Sequence, residues 1–107
     1  MRGGLVFLAF TDRGFALAQR LEEALGGSAA RCGRPDSLGE WTKRHFAQGA
    51  GLVYVGAVGI AVRAIAPYMG KKWEDPAVVA VDECANFAVA LLSGHLGGAN
   101  DLARAIS

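Results

Sequence analysis

The feature that most constrains this chain is an alternation of short, uninterrupted apolar runs with segments of helical periodicity, broken at one place. Leu5-Val-Phe-Leu-Ala-Phe10 is apolar at every position and gives way to Thr11 and Asp12, as expected of a strand buried on both faces that ends at a helix cap. Phe15, Ala18, Leu21 and Leu25 then recur at helical spacing with Arg20, Glu22 and Glu23 between them, and Gly26-Gly27 stops the pattern. Ser28 to Cys32 reads as a second, weaker strand. Arg34-Pro35 punctuates the chain, and Ser37-Leu-Gly-Glu40 supplies a capping box for a second helix that ends near Gly49. Leu52-Val-Tyr-Val55 is a third strand. It leads through Gly56-Ala-Val-Gly59 into a short apolar helix that Pro67 must end or kink.

Strands alternating with helices imply parallel pairing through right-handed crossovers. The alternation fails at Pro76–Val81 and Phe87–Leu92, two strand-like runs separated by only five residues, too few for a parallel crossover. An antiparallel hairpin is expected there, with Asn86 at the left-handed turn position because its short amide tolerates positive φ. Ala99, Leu102, Ala103 and Ile106 predict a closing helix. The expected fold is a three-layer α/β/α domain, residues 1–107, with a mostly parallel sheet of about five strands and one antiparallel hairpin strand. The chain stops directly after that last helix, which suggests a piece of a longer protein or one that works beside a partner chain, a second copy included.

Charge narrows the function classes. Eleven Lys and Arg against ten Asp and Glu leave a net charge of +1, which gives no basic field for nucleic acid. The longest apolar stretch, Leu52 to Val62, is far short of the roughly 20 residues that span a bilayer, and Leu5–Phe10 is too short for a signal peptide. No membrane association is expected. Cys32 and Cys84 lie 52 positions apart, so a reducing cytoplasm is the expected compartment. Cys32, His45, Cys84 and His95 have no short metal-ligand spacing, and no protein-bound metal is expected. His45 shares a helical stripe with Leu38 and Trp41 and reads as a half-buried packing residue.

Ligands of open α/β sheets collect outside the carboxyl ends of the parallel strands. Two glycine-rich loops are candidates. In Gly56-Ala-Val-Gly59, absent side chains would let backbone N–H groups approach a ligand oxygen, with Arg63 adding a planar charge; close helix–sheet packing explains the same glycines equally well. The loop lacks both the G-x-G-x-x-G and P-loop patterns. Ser93-Gly-His-Leu-Gly-Gly-Ala-Asn100 is denser, and His95 there is either a satisfied surface or core histidine or a group that exchanges a proton near neutral pH beside amides suited to an oxyanion. Asp82 and Glu83 sit at the hairpin turn as a base and its orienter, or as ordinary turn carboxylates. Lys71 and Lys72 occupy a polar connection suited to an anion. The expectation joining these features is spatial: the turns after Val55 and after Leu92 should share one rim.

Val55-Gly-Ala-Val-Gly-Ile-Ala-Val-Arg-Ala-Ile-Ala-Pro67, then Lys72, Asp75-Pro-Ala-Val-Val-Ala-Val-Asp-Glu83, then Leu91-Leu-Ser-Gly-His-Leu-Gly-Gly-Ala-Asn100 resemble the N-terminal domain of the cobalt-precorrin-5A hydrolase family, CbiG. Thr11 to Gly14 is similar to that family's opening turn, while Asn86 and Ala90 stand where glycine and proline are common. The resemblance implies cytoplasmic, anaerobic cobalamin biosynthesis: hydrolysis of the ring A δ-lactone of cobalt-precorrin-5A to cobalt-precorrin-5B, with release of acetaldehyde. It implies no cofactor, since cobalt arrives inside the corrinoid substrate, and it implies a second, CobE-like domain or partner chain. On that reading His95 or Glu83 is the general base and Gly94 to Gly98, with Gly97 between them, form the oxyanion cradle. Ser93 and Asn100 orient the substrate, while Gly56, Gly59, Arg63 and Lys72 bind its carboxylates. A noncatalytic corrinoid-docking module and a flavodoxin-like nucleotide binder are the alternatives.

Overall fold

The computed structural model describes residues 4–56, 58–69 and 76–92, together with 103, 104 and 106. Among them β1 (Leu5–Ala9), α1 (Asp12–Leu25), β2 (Ser28–Arg31), α2 (Leu38–Gln48), β3 (Gly51–Val55), α3 (Val58–Ile65), β4 (Val78–Val81) and β5 (Ala88–Leu92) follow in chain order. Pro67 ends α3 as the sequence requires, in a single turn of 3₁₀ helix over Ala66–Tyr68. The expected alternation is present, and so is its interruption.

The strands form one sheet in the order β2-β1-β3-β4-β5, with every pair parallel except β4 and β5. Strand alternation sorts the core into two layers. Phe7, Ala9, Val53, Val55, Val79 and Val81 face α1, where Ala103 and Ile106 also pack; Leu8, Leu52, Tyr54, Val78 and Ala80 face Trp41 of α2 and Ala61 and Ile65 of α3. Ala103, Arg104 and Ile106 are helical, so this part of the closing helix covers the α1 side. The central strands are apolar along their length because both faces are covered.

The helix ends follow from local chemistry. The Thr11 side chain accepts from the Gly14 N–H to cap α1, and Ser37 and Glu40 complete the reciprocal capping box of α2. At the amino end of the sheet, Gly27 has φ +99° and a Cβ built there would lie 2.2 Å from the Leu5 carbonyl oxygen. Only glycine fits that crossing.

The hairpin differs from expectation in detail. Ala85, not Asn86, holds the positive φ, at 59°. The turn closes through the Ala85 N–H donating to the Asp82 carbonyl at 2.9 Å, while the Asp82 carboxylate accepts from the N–H of Phe87 at 2.9 Å and of Cys84 at 3.3 Å. Asp82 thus organises the turn and sets the left-handed residue one position earlier than an Asn preference suggests.

Candidate functional site

At the carboxyl end of the sheet, Arg31, Ala9, Val55 and Val81 stand in register as the last residues of four parallel strands. The loops beyond them converge. The Gly56 N–H donates to the Val81 carbonyl at 2.8 Å, and Arg31 donates through Nη1 to the Phe10 carbonyl at 2.5 Å. Strand order reverses between β1 and β3, the position where open α/β sheets form their ligand crevice.

The side chains at this rim come from sequence-distant segments. Thr11 Oγ1, already accepting from Gly14, donates to Glu83 Oε1 at 2.5 Å across 72 residues of chain. Arg13, in the first turn of α1, donates to Cys84 Sγ at 2.8 Å. Beside them an open depression of about 640 Å³ runs along α1, lined by Arg13, Gln19, Arg20, Glu23, Glu83 and Cys84. Among the described residues, Glu83 Oε2 has no partner and Arg20 makes no ion pair. Phe87 adds an exposed aromatic surface at the neighbouring turn, 61% accessible. A carboxylate aimed by a hydroxyl, flanked by guanidinium groups, can take a proton from water while the cations hold substrate carboxylates.

The two turn carboxylates have separate duties. Asp82 is committed to the backbone, and the N–H groups of Phe87, and then of Asn86 and Cys84, hold it below the usual carboxylate range. It does not orient Glu83. Thr11 does, a role the sequence shows only as a helix cap.

Gly56 and Gly59 also divide. Gly56 has φ +154°, and a Cβ there would meet the Phe10 ring at 2.8 Å, so packing and backbone account for it; a Cβ on Gly59 would meet nothing within 4 Å. The clear surface at Gly59 is not a packing requirement. Arg63 lies in the last turn of α3, about 6 Å of helix axis beyond Gly59. There its charge complements the helix carbonyls.

One expectation is corrected. Because β5 runs antiparallel to β4, Ala88 pairs with Val81 at the carboxyl end and Leu92 pairs with Val78 at the amino end. The chain therefore leaves β5 about 14 Å from the rim, four strand steps away. The turns after Val55 and Leu92 do not start from a common edge. Lys72, Ser93, Gly94, His95, Gly97, Gly98 and Asn100 lie outside the described residues.

His45 packs as expected, its ring 4.9 Å from Trp41 between centroids, with burial and then Arg44 lowering its pKa. A polar pair escaped the sequence reading: fully buried Thr42 hydrogen-bonds Tyr54 Oη at 2.7 Å. Burial pushes the Tyr54 phenol up to about 12. Among the described residues, no helix is long and apolar enough to cross a membrane, and no cluster of three metal-ligating side chains occurs.

Comparison with known proteins fits this architecture. The cobalamin synthesis G N-terminal family matches residues 40–107. A cobalt-precorrin-5A hydrolase from Salmonella typhimurium is 37% identical over 112 residues, covering 94% of this chain and 31% of that protein. Its counterpart from Priestia megaterium is 44% identical over 57 residues, covering 53% of this chain and 15% of the relative. The crystal structure of a cobalamin biosynthesis protein G homolog from Sulfolobus solfataricus superposes with a TM-score of 0.80 at 28% identity, over 97% of this chain and 33% of that one. The chain spans about a third of the length of the Salmonella relative. It belongs to the cobalamin synthesis G N-terminal family.

Proposed function

We propose that this chain contributes the hydrolytic rim of a cytoplasmic cobalt-precorrin-5A hydrolase, opening the ring A δ-lactone on the way to cobalt-precorrin-5B and acetaldehyde. The observation that carries the proposal is Glu83, a carboxylate fixed by Thr11 at the carboxyl ends of the strands beside Arg13 and Arg20. Glu83 removes a proton from the attacking water. Arg13 and Arg20 hold carboxylates at the macrocycle edge, and the uncovered surface around Gly59 leaves room for its body. Cobalt enters as part of the substrate. A second domain of the CobE-like kind supplies the facing wall, consistent with the greater length of the relatives.

The nucleotide-binding alternative fits less well. It rests on Gly56 to Gly59, and of these Gly56 is accounted for by its close approach to the Phe10 ring.

Single-turnover reaction of cobalt-precorrin-5A, with acetaldehyde measured directly, tests the reading. The chain supplemented with the remaining domains of a full-length relative is expected to release acetaldehyde, and Glu83→Gln to slow release by about 10²–10⁴-fold, the range for a lost general base. Undiminished release by Glu83→Gln, with loss in His95→Gln, would move the base to the loop after β5. Corrinoid binding unaltered by either variant, with full release, would leave this chain as a docking module.

A further inference from the structure

We propose that the cleft between β2 and α2 is a second ligand site, for a small amphipathic carboxylate, separate from the rim that carries Glu83. Its origin is a mismatch of side-chain size. β2 is an edge strand, and the residues it turns toward α2 are Ser28 and Ala30, too small to fill the space beside Trp41. What remains is a cavity of about 230 Å³ with an apolar floor of Val6, Leu8, Ala30 and Trp41. The floor is made of core residues: Leu8 is fully buried and Trp41 is 2% exposed.

The mouth is cationic. Arg34 and Arg44 border it with His45, against the carboxylate of Asp36, while the Arg31 guanidinium is turned to the rim. Arg44 is committed to Asp36, and Arg31 to the Phe10 carbonyl and Asp12. Arg34 makes no ion pair among the described residues, so the mouth carries a guanidinium with unspent donors. A carboxylate there gains a charge-assisted bond while its apolar body packs on the accessible part of the floor, chiefly Ala30 with the edges of Val6 and Trp41.

Size and polarity select the ligand. The cavity is smaller than the roughly 300–1,000 Å³ typical of drug-sized ligands, which excludes a macrocycle or a dinucleotide. An inorganic anion would leave the apolar floor wet. An aromatic or branched monocarboxylate satisfies both ends.

Benzoate is the probe, with isosteric neutral benzamide and inorganic sulfate as controls. Titrations are followed by calorimetry and by Trp41 fluorescence in a Trp73→Phe background. Benzoate is expected to saturate and shift Trp41 emission, with benzamide at least about tenfold weaker, the factor for one lost charge-assisted bond, and sulfate weaker than benzoate because it covers none of the apolar floor. Arg34→Gln should weaken benzoate by a similar factor at unchanged Tm. Ala30→Leu, which fills the floor, should abolish binding while the protein still melts cooperatively. Benzamide binding as well as benzoate, or no saturation by benzoate in the folded protein, would overturn the proposal. Acetaldehyde release plays no part in these readouts, so the rim proposal stands or falls separately.

Discussion

The two ends of the sheet are built for different purposes. At the amino end, Gly27 presses against the Leu5 carbonyl, and Ala50 and Ala77 are sealed by packing. At the carboxyl end, Thr11, Arg13 and Glu83 meet in the open, and a Cβ on Gly59 would touch nothing. Backbone packs against backbone at the first end, and loops of separate strands converge at the second, where the proposed chemistry sits. A glycine at one end therefore cannot be read like a glycine at the other.

Substitutions can break or sharpen that contrast. Gly27→Ala should have the largest effect, because its Cβ would fall at 2.2 Å from a carbonyl oxygen and something in the backbone must move. A loss above about 4 kcal/mol, or failure to fold, is expected in denaturant unfolding. Glu83→Gln should leave Tm within a few degrees of the wild-type value while removing most acetaldehyde release. Thr42→Val leaves the buried Tyr54 hydroxyl without its partner and should cost about 1–3 kcal/mol, with activity unchanged in the folded fraction. Gly59→Ala should reverse the sign, raising stability by up to about 1 kcal/mol through helix propensity, while weakening corrinoid binding if the macrocycle lies over α3.

The smallest effect is a pH dependence. His45 is lowered in the fold, so the unfolded chain takes up its proton first and stability falls as pH drops through about 6.5. Asp82 is also lowered, and its contribution is lost further down, as pH falls below the ordinary aspartate value. Tyr54 works at the other extreme. Its raised pKa of about 12 contributes stability below about pH 10 that disappears as pH rises further. Thermal melts across pH should show the acid-side loss near 6.5 diminished in His45→Gln.

Much of this was legible in the chain. The capping box at Ser37 and Glu40, the stop at Gly26, the break at Pro67 and the antiparallel pair were all visible because each depends on residues within a few positions of one another. The rim was legible only in part. Thr11 reads as a cap, and nothing local predicts that its hydroxyl also reaches Glu83, 72 residues away. Arg13 and Arg20 look like solvated helix charges until the hairpin turn is set beside α1. The edge at which β5 ends differs from expectation for a related reason: an antiparallel step reverses the end of the sheet that a strand reaches, and glycine density does not encode direction. Thr42 and Tyr54 were invisible as a pair because one is on a helix and the other on a strand.

The central claim is that substrate is handled at the carboxyl rim. Amide chemical-shift mapping of the isotopically labelled chain with cobalt-precorrin-5A tests it most directly. Perturbations, by shift or by broadening, are predicted to cluster at Thr11, Arg13, Gly56, Glu83 and Cys84. A cluster at Gly27, Gly51 and Ala77 instead, with the rim unperturbed, would contradict the account.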